Sequence, residues 1–500
     1  MTSTIFPNTT TQLKPSRGGS LDPPREKRGY GLGNGACAAG PETRRAKLRS
    51  SPNTPCINRS NLRKRAAVLL PLLGAIVLAA GCGATELMPT PNLYAFTPDN
   101  PFPNIPPCFR TSTVDILYAT DRTPEGDTAK EPKYGFGRSR SLAFGMTTVR
   151  IGKDVPWDAL VAVSRSAARQ KGLPMSTAET RELGRFPPTP SKTVERDGQL
   201  VDAPEIVEAR RAAEDRLKAL VAERLALTPK KEVYVFVHGT GSNFEESTCV
   251  LAGLWHFMGR CGVPVVYAWP AGGGSDPARG YAYDRESSEF TVYHLKHFLR
   301  VLAACPGVEK VHILAHSRGT DTILTALREL NIEIRASGGD TRKALKLGSV
   351  VLAAADIDAD VSSQRVGAEH IMRVPEQMVL YVSPNDLRLN VGDVLFGSKS
   401  RLGQTETRNM TPGQLEALRN LPELQFIDAR IAGSWAWSHD YFYHDPAVSS
   451  DLILVLRDNR RPGATYGRPL GGQPPIWRID KDYPASAPAA APATAPAAAK

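Results

Sequence analysis

Residues 311–319 read Val-His-Ile-Leu-Ala-His-Ser-Arg-Gly, and no other stretch of this 500-residue chain points so strongly to one architecture. An apolar run ends abruptly at the last five of these residues, and apolar residues at helical spacing follow at once: Ile323, Leu324, Leu327 and Leu330. This order predicts a strand, a tight turn and a helix, with Ser317 at the apex. Such a turn is a nucleophile elbow, whose flanking residues must be small. Gly319 meets that need, and Ala315 replaces the usual first glycine.

A serine at this position needs a base to take its proton and an acid to orient that base. In α/β-hydrolases the partners follow in the order serine, acid, histidine. A buried strand at 378–382 breaks into Ser-Pro-Asn-Asp, which leaves Asp386 at the strand's carboxyl end, and His439 lies in a later loop at 433–446. We therefore predict Ser317 as nucleophile, His439 as base and Asp386 as the orienting acid.

Both partners of the serine have rivals. His444 lies in the same loop as His439, but it precedes Asp445-Pro446, which is typical of a helix start, so we expect a structural role for it. Asp356 or Asp358 also follows a buried strand and is an alternative acid.

The third requirement is a pair of N–H groups that stabilise the negative charge of the transition state. The buried strand at 231–237 ends in His-Gly, followed by a turn of small residues. A loop of this kind presents a backbone N–H toward the elbow, and we assign that donor to Thr240. The second oxyanion-hole donor is the N–H of Arg318, the residue after the nucleophile.

Strands alternate with helices along the chain, which predicts an α/β fold with a mainly parallel sheet and helices on both faces. The chain resembles a bacterial α/β-hydrolase family of uncharacterised function. The segments that carry the resemblance are 118–122, 235–239 (Val-Phe-Val-His-Gly), 281–287, 315–320 (Ala-His-Ser-Arg-Gly-Thr), 355–360 and 439–451.

The resemblance spans roughly 113–480 and implies the α/β-hydrolase fold with esterase-like chemistry, but no particular substrate. Members of the family tend to have methionine where this chain has Arg318. We hypothesise that a guanidinium beside the nucleophile alters the acyl preference or favours an anionic substrate.

The amino-terminal part is typical of an exported bacterial lipoprotein. Basic residues at 63–65 precede an apolar run of about fifteen residues and Ala-Ala-Gly-Cys, so 62–82 is predicted to be a signal segment with Cys82 as the lipidation site. We expect 1–61 to be a disordered leader, or not translated at all because synthesis starts near Leu62. A Pro- and Asn-rich tether is expected at 83–112, and the protein is expected to face the periplasm from the outer membrane.

The charge distribution argues against nucleic-acid binding. The chain has 62 Lys and Arg against 51 Asp and Glu, a net charge of +11, but residues 1–81 hold 13 of the basic and 3 of the acidic residues. The remaining 49 basic and 48 acidic residues nearly balance, so the basic excess lies in the segment that is removed or never made.

We also expect a helical insertion at about 176–227 and a disordered Ala/Pro tail at 484–500.

Two functions remain open. The first is a serine hydrolase that cleaves a small-molecule or lipid ester through an acyl-enzyme, with no metal and no cofactor, since no Cys-x-x-Cys or His-Glu-x-x-His pattern occurs. The second is a hydrolase-fold lipoprotein that has lost activity and serves as a binding scaffold.

Overall fold

The computed structural model describes residues 85–126, 131–167, 172–273, 277–386, 389, 401–406, 410–429 and 439–484. The predicted lipidation site, the leader and most of the Ala/Pro tail lie outside these residues. Across the described ranges, none of the helices has the length and apolar character needed to cross a membrane.

Within the described residues, eleven strands form one sheet and two more form a separate hairpin. In chain order the strands are β1 (Thr113–Glu125), β2 (Lys133–Ile151), β3 (Met175–Arg185), β4 (Thr193–Arg196), β5 (Gln199–Asp202), β6 (Glu232–Val237), β7 (Val263–Ala268), β8 (Lys310–His316), β9 (Leu347–Ala353), β10 (Gln377–Val382), β11 (Leu424–Asp428), β12 (Gly471–Gln473) and β13 (Ile476–Arg478). The order across the sheet is β12-β13-β11-β10-β9-β8-β6-β7-β1-β2-β3. The strands from β13 to β1 pair in parallel, while β2, β3 and β12 add antiparallel edges. The predicted mainly parallel sheet is thereby confirmed.

The central strands are apolar throughout because both faces of the sheet are covered. In β6, Tyr234 and Phe236 belong to the core on one face, whereas Val233, Val235 and Val237 belong to the core on the other. Side chains alternate in this way along every strand, so a buried parallel strand reads as an unbroken apolar run.

Helices cover both faces of the sheet. They are α1 (Asn92–Ala95), α2 (Trp157–Ser164), α3 (Pro204–Ala226), α4 (Phe244–Phe257), α5 (Pro277–Ala303), α6 (Gly319–Ala336), α7 (Thr341–Leu345), α8 (Ala359–Ser362), α9 (Pro412–Arg419), α10 (Tyr441–His444) and α11 (Pro446–Asp458). Single turns of 3-10 helix occur at Phe102–Asn104, Pro107–Phe109, Ile371–Arg373, Leu402–Gln404 and Ala464–Tyr466, and a π-helical turn at Ser363–Ala368. Helices α4 and α11 pack on one face and α3, α5 and α6 on the other.

Two predicted boundaries differ from the structure. The tether expected at 83–112 is, over its described part, packed on the core: Leu87, Tyr94 and Phe102 are buried, and the backbone N–H of Met88 donates to the Tyr443 hydroxyl. The insertion expected to be helical at about 176–227 begins with the edge strand β3, and only its last part forms the helix α3. In the segment before β1, the apolar residues that pack on the core are spread between prolines and follow no periodic pattern, which is why the sequence predicted a tether.

Candidate active site

Ser317 lies in the turn between β8 and α6, at the carboxyl end of a central strand. Its φ of +52° is in the left-handed region, which a non-glycine residue adopts only under local constraint. Its N–H donates to the Ala353 carbonyl at 3.0 Å, and its own carbonyl accepts from Thr320. This is the strand-turn-helix geometry that the sequence predicts for an elbow.

The small residue at position 319 is a steric requirement. A Cβ on Gly319 would lie 2.5 Å from the His238 carbonyl oxygen and 2.6 Å from that of Val237. The first turn of α6 therefore presses directly against the end of β6. Ala315, at the other small position, is fully buried within β8.

The structure brings His439 and Asp386 together. Asp386 follows β10, and its Oδ2 lies 2.6 Å from His439 Nδ1. Only 1% of Asp386 and 6% of His439 is exposed, so water hardly competes for this hydrogen bond. The contact fixes the imidazole with Nδ1 toward the acid, which leaves Nε2 to face a nucleophile.

His439 also lies against the elbow, through the residue that precedes the serine. The Nε2–H of His316 donates to the His439 carbonyl at 3.2 Å, and the two imidazole rings are 4.8 Å apart. Burial first, and His439 second, lower the pKa of His316 to about 4, so this ring is neutral at pH 7. The ring of Phe442 packs against it at 4.7 Å.

The rival residues have other contacts. His444 ends α10, with its ring edge-on to Tyr443. Asp358 caps α8 by accepting from the N–H groups of Asp360 and Val361. The Asp356 carboxylate binds Arg318 Nη2 at 2.7 Å.

The loop after β6 runs alongside the serine. A Cβ on Gly239 would lie 2.6 Å from Ser317 Cβ and 3.2 Å from its Oγ, so the backbone of this loop touches the nucleophile. Within the described part of the chain, the backbone N–H groups of Thr240 and Arg318 have no hydrogen-bond partner. These are the two donors that the sequence analysis assigned to the oxyanion hole.

Sequence reasoning missed two buried ionic side chains that hold this loop. Asp284 accepts from the N–H of Gly241 and of Gly272, each at 2.8 Å, and burial raises its pKa. Arg122 donates to the Ser242 carbonyl at 2.6 Å, and burial lowers its pKa to about 10. Both lie in segments that carried the family resemblance, but their partners in the loop after β6, Gly241 and Ser242, are more than forty residues away in sequence.

An aromatic ring holds the start of the same loop. Trp269 Nε1 donates to the His238 carbonyl at 2.7 Å, and the two rings stack 5.2 Å apart. His238 Nδ1 donates to the Gly239 carbonyl, so Nε2 accepts from Arg122. Burial and the Arg122 guanidinium lower the pKa of His238 well below its usual range, which keeps this ring neutral.

Arg318 does not offer its charge to a substrate. The guanidinium is buried, binds Asp356 and Asp321, and contacts the Tyr281 hydroxyl. Because two carboxylates already compensate this charge, the hypothesis that Arg318 favours an anionic substrate loses its basis.

The sheet and the elbow together define a domain with the α/β-hydrolase fold. Residues 213–457, just under half of the chain, match the model of the family described as "Alpha/beta hydrolase of unknown function (DUF900)". This match supports the resemblance to an uncharacterised family of α/β hydrolases.

No curated protein matches the chain significantly. One similar solved structure is that of a candidate cell surface hydrolase from Lactobacillus plantarum WCFS1, with 12% sequence identity, a TM-score of 0.23, and coverage of 52% of this chain and 92% of that chain. A likeness at this identity and TM-score does not bear on the function of the chain.

Proposed function

We propose that this protein is a serine hydrolase that cleaves carboxylic esters through an acyl-enzyme at Ser317. The observation that carries the proposal is the buried Asp386–His439 hydrogen bond of 2.6 Å, with the His439 carbonyl bound by His316, the residue before a serine in the left-handed conformation. Acid, imidazole and serine alcohol in this order are what nucleophilic acyl transfer requires.

In the first half-reaction His439 Nε2 takes the proton of Ser317 Oγ as the oxygen attacks the ester carbonyl. The new C–O bond pushes the carbonyl electrons onto oxygen, and the N–H groups of Thr240 and Arg318 stabilise that oxyanion. The imidazolium, held by Asp386, then gives the proton to the departing alcohol as the C–O bond to it breaks. An acyl group remains on Ser317.

In the second half-reaction water replaces the alcohol. His439 deprotonates the water as it attacks the acyl-enzyme, and the same two N–H groups stabilise the second oxyanion. Return of the proton to Ser317 releases the carboxylic acid and restores the enzyme. Every proton transfer in this cycle runs through His439.

We further propose that the enzyme is exported and anchored to the outer membrane by a lipid on Cys82. The basic residues, the apolar run and the Ala-Ala-Gly-Cys sequence support this anchoring. Metabolic labelling with a palmitate analogue tests it: label that persists in Cys82→Ser contradicts the assignment.

The nucleophile is tested with a fluorophosphonate probe on the folded protein. We expect labelling of the parent protein that disappears in Ser317→Ala and falls strongly in His439→Ala, with circular dichroism confirming that both variants fold. A folded parent that does not label contradicts the hydrolase and leaves the scaffold function.

The bond that is cleaved is tested with matched p-nitrophenyl esters, thioesters and anilides of graded chain length. We expect the esters to react faster than the anilides, because p-nitrophenolate leaves more readily than an anilide. Preference for the anilides contradicts the ester assignment while leaving the nucleophile intact.

A further inference from the structure

Asp356 makes contact with the elbow twice, once through its backbone and once through its carboxylate. Its N–H donates to the Ser317 carbonyl at 3.2 Å. Its Oδ2 accepts from Arg318 Nη2 and from the Tyr281 hydroxyl, both at 2.7 Å. Asp356, in the loop after β9, thus contacts both the nucleophile and the residue that follows the nucleophile.

The Arg318 side chain is fixed on several sides. Only 4% of the residue is exposed, and the guanidinium also binds Asp321 at 3.1 Å and lies 5.3 Å from the centre of the Tyr281 ring. Burying a charged pair costs desolvation energy, and packed apolar residues of similar volume are often at least as stable. A role in orientation explains the retention of this pair better than a gain in stability does.

The backbone of Arg318 supplies the link to chemistry. Its N–H has no partner in the described residues and is one of the two oxyanion donors in the proposed function. Hydrogen bonds weaken steeply as the donor angle closes, so a small rotation of the 317–318 peptide removes most of the stabilisation. The strained φ of Ser317 makes that peptide need external support.

We propose that Asp356 is a positioning residue for the reaction at Ser317. Its backbone N–H binds the Ser317 carbonyl and its carboxylate binds the Arg318 side chain. Together these contacts orient the N–H of Arg318 toward the oxygen where negative charge develops. This role deepens the proposed function and rests on it. It also gives a place in the site to a carboxylate that the sequence left as a rival for the triad acid.

The test compares Asp356→Asn with Asp360→Asn, which changes an exposed carboxylate four residues further on. Three quantities are measured: kcat and KM for p-nitrophenyl butyrate, and the Kd of phenylboronic acid, which adds to a serine oxygen as an anionic tetrahedral group. We expect kcat to fall about tenfold to a hundredfold in Asp356→Asn, since one oxyanion donor is worth about 10²–10³. The Kd is expected to rise by a similar factor, with KM within threefold and Asp360→Asn unchanged.

A folded Asp356→Asn with kcat and boronate Kd within twofold of the parent overturns the proposal. If that variant does not fold, the double variant Arg318→Met with Asp356→Leu removes the two members of the pair together. Because Asp356 Oδ1 also lies 3.4 Å from Arg401 Nε, this variant is expected to fold with a lowered melting temperature. We expect its kcat to remain at least tenfold low, because the side-chain contact that orients Arg318 is lost and only the backbone hydrogen bond to the Ser317 carbonyl remains. Full recovery of kcat in the folded double variant shows a purely structural role and also overturns the proposal.

Failure of the proposed function has a separate signature. In that case the parent protein itself does not label with fluorophosphonate, or Ser317→Ala keeps the esterase activity. Loss of positioning affects only the Asp356 variants, while the parent stays active and dependent on Ser317.

Discussion

Replacing Gly319 by alanine tests whether the distance between the elbow and the neighbouring loop controls the rate. The added Cβ would lie 2.5 Å from the His238 carbonyl oxygen, whereas real Cβ contacts essentially never fall below 3.0 Å. Because the obstacle is backbone and no flexible side chain can yield, α6 and the end of β6 must separate by at least 0.5 Å. His238 leads directly into the Gly239–Thr240 loop that touches Ser317.

The size of the effect follows from that displacement. A misplacement of about 1 Å at an active site costs about a hundredfold in rate. We therefore expect kcat of Gly319→Ala to fall by about tenfold to a hundredfold. Overpacking of this kind costs about 1–3 kcal/mol of folding free energy, so the domain should still fold.

The assay measures kcat and KM for p-nitrophenyl butyrate, the rate of fluorophosphonate labelling, and the melting temperature. Gly413→Ala in α9 is the matched control, since a Cβ there meets no atom within 4 Å. Alanine in a helix is more stable than glycine by about 0.5–1 kcal/mol, so this control should melt slightly higher with unchanged kcat. Parent-like kcat and melting temperature in Gly319→Ala would refute the argument that this contact sets the geometry of the site.

Three further predictions concern single side chains. Asp386→Asn removes the group that fixes the His439 tautomer, so kcat should fall about 10³–10⁴-fold with KM little changed; activity within tenfold of the parent would exclude Asp386 as the acid. Burial lowers the pKa of His316 in the folded state to about 4, from its ordinary value of 6.5, so the unfolded chain binds the extra proton as pH falls and the native state loses stability. Between pH 7 and pH 5 the free energy of unfolding, measured with urea, should fall by about 2 kcal/mol more in the parent than in His316→Gln. An equal fall in both proteins would contradict this. In Asp284→Asn an amide N–H₂ faces one of the two backbone N–H donors, Gly241 or Gly272, so one hydrogen bond is lost. This loss should cost about 1–3 kcal/mol of folding free energy and lower kcat about tenfold. A change in melting temperature with unchanged kcat would limit Asp284 to a structural role.

The central sheet is predictable from sequence because burial on both faces demands unbroken apolar strands, as in β6 and β8. The edges of the sheet follow a different rule. Strand β3 is mostly polar, with few apolar residues, and every residue except Met175 is at least partly exposed, so its sequence resembles that of a loop. The segment at 85–112 was missed for a related reason, because its buried residues dock individually between prolines and have no period that a pattern search detects.

The candidate site divides in the same way. Chain order and strand ends point to Ser317, His439 and a choice of acids, because carboxyl ends of parallel strands share one edge of the sheet. The sequence favours Asp386 but leaves Asp356 and Asp358 as alternatives, since all three follow buried strands. In the structure the difference is Arg318: its buried guanidinium holds Asp356, while Asp386 binds the imidazole. Arg318, which is unusual beside the nucleophile, thus distinguishes the two acids, because it binds Asp356 and leaves Asp386 as the partner of His439.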